Sequence, residues 1–311
     1  MIEIEHVNKS FGEKKALEEF TLRVEQGECC GLVGPNGAGK TTLIKILATL
    51  LPQDNGIARV AGHDVAREAR AVRAVIGYLP DVAGLYQDMR VCELLDFYAD
   101  AYRLKGGARN AAIDRAIAQS GLEERRNTFV EELSLGLKQR LLLAKTLLHG
   151  PKVLLLDEPA TGLDPLARAS LRTQLHALRR DGVTILVSSH ILTDLEDVCT
   201  RVALIAEGKN AADAEGRSVI PMAAAPSESL ICDVALAGEV SEAKKLFEGL
   251  PGARLLGIEG GRARVEVTGG AREASAMLRE LLSRGAVVRR FDTRGPGLEE
   301  QYRKVFEGRK G

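Results

Sequence analysis

The sequence has no excess of charge of either sign: 43 Lys and Arg residues balance 43 Asp and Glu residues. A protein that lives on nucleic acid usually shows a basic excess, so no nucleic-acid partner is expected. Cysteine is scarce and odd in number, with five residues at 29, 30, 92, 199 and 232. Adjacent Cys29 and Cys30 suit neither a CxxC redox pair nor a zinc site, and all five read as small buried hydrophobes in a reducing cytosol. The start, MIEIEHVNKSFGEKK, lacks the apolar region of a signal peptide. No run of about 18 apolar residues occurs, so no membrane-spanning helix is expected. What remains is a chain of 311 residues that is 45% hydrophobic, with length and apolar content for more than one packed domain.

Periodicity predicts the elements. Ile2, Ile4, Leu22 and Val24 alternate with polar neighbours as half-buried antiparallel strands do. An apolar run from Cys29 to Val33 ends in a Gly-rich turn. A helix from Lys40 then places Leu43, Ile44, Leu47 and Leu50 on one face. Residues 82–130 read mostly helical, with Val91, Leu94, Leu95, Tyr98 and Tyr102 on one face. Ser134 heads a further helix that stops at Gly150-Pro151. VLLLDEP at 153–159 and VTILVSSH at 183–190 suit strands buried on both faces. A helix through Leu171, Leu175 and Leu178 lies between them, and Val202–Ala206 reads as a last strand. This order implies an α/β domain over residues 1–208 with a mainly parallel sheet.

Composition changes after Gly208. Residues 209–229, rich in Ala, Ser and Pro, read as a linker. Residues 230–311 then run strand Leu230–Leu236, helix Ser241–Leu250, strand Ala253–Ile258, strand Ala263–Thr268, helix Ala271–Arg284 and strand Ala286–Phe291. A hairpin at Glu259-Gly260-Gly261 joins the middle strands. This βαββαβ order is that of a small α+β ferredoxin-like unit, followed by an amphipathic tail, LEEQYRKVF.

The chemistry centres on GPNGAGKTT, residues 34–42, which fits GxxxxGK[ST]. Chance gives that pattern in about one chain in a hundred at average residue usage, but here a strand precedes it and a helix follows. Backbone N–H groups of Gly34, Asn36, Gly37, Ala38 and Gly39, in a loop that also contains Pro35, would cradle phosphates at the positive end of the helix. Lys40 would reach the β- and γ-phosphates of ATP, with Thr41 on Mg²⁺ and Thr42 beside it. In LLLDEP an apolar strand delivers Asp157 to the Mg²⁺ shell, and Glu158 could polarise water as a general base. His63, His149 and His176 have no recognisable partners.

With these motifs in place, residues 1–208 resemble the nucleotide-binding subunit of ABC transporters. LSLGLKQRL at 133–141 looks like the family's signature, GLDP at 162–165 like its D-loop and SSH at 188–190 like its switch histidine. The resemblance implies that His190 contacts the γ-phosphate and Phe11 stacks on adenine. It also implies that Ser134, Gly136 and Asp164 face nucleotide held by a second protomer, in a homodimer or heterodimer. A plain helix cap is a compatible reading of Ser134, and core packing is the other reading of Phe11. The helical subdomain would span about 82–145. Two positions depart from the family pattern. Leu135 replaces the signature's first glycine, with Leu137 at its glutamine-like position. Asp81 stands where many members have a glutamine that senses Mg²⁺, and it reads either as a metal-shell residue or as a turn residue after Pro80.

Leu85 and Tyr86 lie in a stretch that resembles the permease-contacting part of exporter-type subunits. The C-terminal part looks like the accessory domain of drug-export ATPases, either a dimer contact or a ligand sensor. The resemblance therefore implies an ATPase at the cytoplasmic face of the cell membrane, held there by a separate integral membrane permease and exporting a drug-like, lipid or other substrate. A soluble ABC-type ATPase for assembly or remodelling is the alternative.

Overall fold

The computed structural model describes residues 1–190, 195, 198–211, 219–221, 229–237, 246–247 and 249–294. The chain divides into Met1–Met222 and Ala223–Gly311.

In the first unit β1 (Ile2–Phe11) and β2 (Lys14–Val24) form an antiparallel pair. β4 (Asn55–Val60) pairs with the other edge of β1, and β5 (His63–Asp64) with β4. Ile2, Ile4, Phe20, Leu22 and Val24 all point into one core, which the period-two alternation requires. The second sheet holds β3 (Cys29–Val33), β6 (Ile76–Leu79), β7 (Val153–Leu156), β8 (Thr184–Ser189), β9 (Arg201–Ala206) and β10 (Lys209–Asn210). Its order is β10-β9-β3-β8-β7-β6. The run from β9 to β6 is parallel, and every residue of β3, β7 and β8 is buried. Such strands need apolar side chains on both faces.

Helix α1 (Lys40–Leu47) follows β3 directly, and α2 (Ala69–Val75) precedes β6. Leu50 lies beyond the end of α1 and is 60% exposed. Thr49, at φ 61°, turns the chain before the expected apolar face can extend that far. Helices α3 (Val91–Ala101), α4 (Gly106–Ser120) and α5 (Leu135–Leu147) share a core of Val91, Leu94, Leu95, Ile117 and Leu141. Helix α6 (Pro165–Arg180) starts with Asp164 as cap and Pro165 in its first turn, and ends on Arg179-Arg180. Both ends match the helix dipole.

The expectation of a mostly helical 82–130 holds only for α3 and α4. Residues 82–90 form no helix, and short 3₁₀ turns occupy Glu123–Arg125 and Val130–Glu132. Backbone bonds across the chain take the place of helical ones: Val130 N donates to Met89 O at 2.9 Å and Cys92 N to Arg126 O at 2.9 Å. The stretch expected as linker contains β10 and also β11 (Val219–Pro221), which pairs antiparallel with β9.

The second unit contains β12 (Ser229–Leu236), β13 (Ala253–Glu259), β14 (Arg262–Thr268), α7 (Ala271–Ser283) and β15 (Val288–Arg294). The sheet is antiparallel in the order β13-β14-β12-β15. Cys232, Val234, Val265 and Val267 pack with Ala274, Met277 and Leu281 of α7. The hairpin turns at Gly260-Gly261 with both φ positive, at 56° and 77°, the geometry that twisted strands need and glycine supplies. Most of the expected helix at Ser241–Leu250, and all of LEEQYRKVF, lie outside the described residues.

Candidate functional site

The loop between β3 and α1 is built on close backbone approaches. A Cβ at Gly34 would lie 2.1 Å from the Ile205 carbonyl oxygen, and one at Gly39, where φ is 111°, would lie 2.5 Å from that of Ala16. No side chain fits either place. Gly208 N donates to Ala38 O at 2.9 Å, while its own carbonyl accepts from Glu18 N at 2.9 Å. The loop is thus tied to both sheets. Lys40 is buried, and its Nζ donates to the carbonyls of Gly34 (2.8 Å) and Pro35 (3.2 Å). It also faces Glu158 Oε1 at 3.4 Å.

Parallel register brings the next groups in. Leu79 pairs with Leu156, and Leu156 with Val187, so Asp157 and Ser188 follow at neighbouring strand ends. Asp157 is 1% exposed. Its Oδ1 accepts from Ser188 Oγ at 2.7 Å and from Thr41 Oγ1 at 3.2 Å. Burial holds its carboxyl above the usual range, the two hydroxyls oppose that, and the charges of Asp81 and Glu158 add to it. Burial together with the charges of Asp157 and Asp81 likewise pushes the Tyr78 phenol up to about 12.

Glu158 sits at φ 48°, unusual for a residue with a side chain. Its N–H donates to Ser188 Oγ at 3.0 Å. Its Oε2 accepts from the backbone N of His190 at 3.3 Å and lies 2.7 Å from His190 Nδ1. Lys40 and His190 thereby hold the two oxygens of one carboxylate.

Lys40, Glu158 and His190 share a cleft of about 440 Å³ with Phe11, Asn36, Gly37, Ala38, Gly39, Thr41, Thr42 and Asp81, and Asp157 lies behind it, bonded to Thr41. Phe11 stands at its mouth, 51% exposed, with Lys9 Nζ 5.6 Å from the ring centroid. Gly34 and Pro35 act from beneath, through Lys40. Lys14 and Thr161 also line the cleft, and neither was expected. Lys14 opposes Phe11 across the β1–β2 pair, a relation visible only once the turn between them is placed.

Ser134, Gly136 and Asp164 do not line this cleft. Ser134 caps α5, its oxygen accepting from Leu137 N at 3.4 Å, and Asp164 caps α6, accepting from Ala167 N at 2.8 Å. The two helix heads meet each other: a Cβ on Gly136 would come 2.9 Å from Ala167 Cβ. Leu135 and Leu166 beside them are exposed.

The donors fit Mg²⁺. Asp157 and Thr41 offer hard oxygens in contact with each other, and the carboxylate has hydroxyl partners rather than a cation. That pattern suits Mg²⁺, which is held by one or two protein oxygens together with substrate phosphates and water.

On the helical part, Tyr86 and Phe97 (51% and 45% exposed) pack edge to face with centroids 5.5 Å apart. Leu85, expected in the permease-contacting stretch, is half-buried and packs against the helical core. A further cavity, of about 490 Å³, lies on the β12–β15 sheet. Its Arg264 pairs with Asp233 and its Arg290 with Asp292.

No described helix is long and apolar enough to cross a membrane. The ABC transporter family matches residues 17–161. The Nod factor export ATP-binding protein I of Paraburkholderia xenovorans (strain LB400) is 38% identical over 233 residues, 75% of this chain and 75% of that protein. "Probable multidrug ABC transporter ATP-binding protein YbhF" of Escherichia coli (strain K12) is 37% identical over 209 residues, 67% of this chain but 36% of that protein. A solved ATP binding subunit of an ABC transporter superposes with a TM-score of 0.60 at 30% identity, over 67% of this chain and 87% of that one. The dimeric bacterial cassette MJ0796 shares the fold, with a TM-score of 0.63 at 22% identity over 72% of this chain and all of that one.

Proposed function

The chain belongs to the ATP-binding proteins of ABC transporters, and on that footing we propose that two ATPase protomers close head to tail around ATP and drive a separate export permease. The chain itself is an ATPase of this family. The observation that carries the proposal is the convergence of Lys40, Glu158 and His190 at one cleft behind a phosphate-binding loop, with Asp157 bonded to Thr41 of its lining.

In this reading the loop N–H groups and Lys40 take the β- and γ-phosphates, and Phe11 stacks on adenine. Thr41 and Asp157 hold Mg²⁺, which when bound offsets charge on the phosphate oxygens. Water attacks the γ-phosphorus, the bond to the bridging oxygen breaks, and ADP leaves. Glu158 takes the proton of the attacking water. His190 fixes the Glu158 carboxylate from one side while Lys40 fixes it from the other. Ser134, Gly136 and Asp164 lie away from the cleft, on an exposed surface. This supports their facing nucleotide on a second protomer. Tyr86 and Phe97 form an exposed aromatic patch suited to a permease loop, which would hold the chain at the cytoplasmic face of the membrane. The export names of the relatives support the direction of transport.

Glu158→Gln should keep ATP binding and closure while slowing hydrolysis by a factor of about 100 or more. Size-exclusion chromatography with Mg²⁺ and ATP is expected to reveal a lasting dimer. A monomer with ATP bound would sink the sandwich. Purified from native membranes, the same variant should bring down a protein with several membrane spans, lost on Tyr86→Ala with Phe97→Ala. Recovery of soluble partners alone would favour an assembly ATPase.

A further inference from the structure

Of the three acidic groups at the site, Asp157 and Glu158 have side-chain partners among the described residues and Asp81 has none. The Glu158 carboxylate meets Lys40 and His190, and Asp157 meets two hydroxyls. Asp81 lines the same cleft, and among the described residues its carboxylate has no hydrogen bond or ion pair. Leu79 and Leu156 are level in the parallel pair β6–β7, so residue 81 leaves its strand beside residue 158. The negative charge of Asp81 reaches both Asp157 and Tyr78. An unpaired carboxylate this close to a phosphate-binding loop acts against its ligand: bare ATP brings about four negative charges at neutral pH, and like charges repel across a cleft wall. A divalent cation between the phosphates and the strand ends reverses the sign of that interaction.

We propose that Asp81 is a specificity residue that makes this cleft reject metal-free nucleotide and accept the divalent complex. The side chain works as a fixed charge: it excludes bare triphosphate and favours the cation when phosphate brings one in. This rests on the reading that Thr41, Asp157 and the loop take Mg²⁺ and ATP together. Asp81 does not need to touch the metal, since Coulomb attraction through an intervening water suffices.

The test is calorimetric titration of ATP into the full-length protein, once with Mg²⁺ and once with EDTA. Wild type, Asp81→Asn and Asp81→Glu are compared, with Lys40→Ala reporting binding at this cleft. Wild type should bind the Mg²⁺ complex much more tightly than free ATP. Asp81→Asn should bind free ATP about tenfold more tightly than wild type while changing the Mg²⁺ complex by less than about threefold. Asp81→Glu should keep the wild-type preference. Raising the salt should shrink the difference in part, because Asp81 is exposed. An equal preference for the Mg²⁺ complex in wild type and Asp81→Asn would overturn the inference while leaving the nucleotide site standing. If wild type bound ATP in neither condition, or if Lys40→Ala bound as well as wild type, the reading of the cleft itself would fall, and the role of Asp81 with it.

Discussion

Lys40 and His190 meet the Glu158 carboxylate and Ser188 joins Glu158 to Asp157, whereas among the described residues Ser134, Gly136 and Asp164 meet the backbones and helix heads of their own neighbourhood. The first group is carried by a loop and by the ends of adjacent parallel strands, whose register leaves no choice but convergence. The second group is carried by two helix N-termini, and its polar atoms are used locally as caps. In the proposed reading, one chain supplies the phosphate end of the site by itself. The other set lies at a surface that we propose faces a second protomer.

The strongest way to break this contrast is to empty the first group of its cation. Lys40→Ala removes three contacts of a buried ammonium and should weaken ATP binding about a hundredfold, or ~3 kcal/mol, by calorimetry. A loss of less than about threefold would mean that the strand-end group is not the phosphate seat. Ser134→Asp sharpens the contrast from the other side. Aspartate caps a helix as well as serine does, so folding and single-chain ATP binding should persist. The added negative charge, placed where a partner's phosphates are proposed to lie, should lower ATPase turnover about tenfold and prevent ATP-induced dimers. Unchanged turnover would place the helix heads away from any nucleotide.

The weakest lever is acid. His149 Nε2 lies 2.7 Å from Ile76 O at the start of β6, and its ring stacks on Tyr102 with centroids 4.1 Å apart. Burial lowers its pKa, with the Ile76 carbonyl opposing in part. A depressed folded value means that the unfolded chain takes up the proton first as pH falls. The stabilisation is whole above about pH 6.5 and is lost as pH falls through the lower folded value. Wild-type Tm should therefore drop below that pH more steeply than that of His149→Gln, a difference of about 1 kcal/mol or less. Parallel slopes in a pH series of thermal melts would remove His149 as the cause. Because β6 carries the chain toward Asp81, loosening there touches the strand-borne group and leaves the helix caps alone.

Much of this was legible in the sequence for a physical reason. Strands buried on both faces must be apolar throughout, so VLLL and TILV announce themselves, and a loop pressed against two other carbonyls must be glycine at Gly34 and Gly39. What stayed hidden depends on pairings between distant segments. β10 and β11 are two and three residues long, too short to carry a period. Lys14 enters the cleft through its partner across a turn, and Thr161 through a turn after Glu158, with Thr161 N donating to Glu158 O at 3.1 Å. Apolar character did not distinguish Leu85, packed inward, from Tyr86, exposed. Phe97 was missed because it sits on the outer face of a helix whose inner face carried the signal.

The backbone at Glu158 holds a side chain where glycine would rest with less strain, at a cost of roughly 1–2 kcal/mol. As the proposed general base, Glu158 sets durability against turnover. Searches for thermostable variants of this protein would be drawn toward glycine at residue 158, and would arrive at robust molecules without the carboxylate proposed to take the proton of the attacking water.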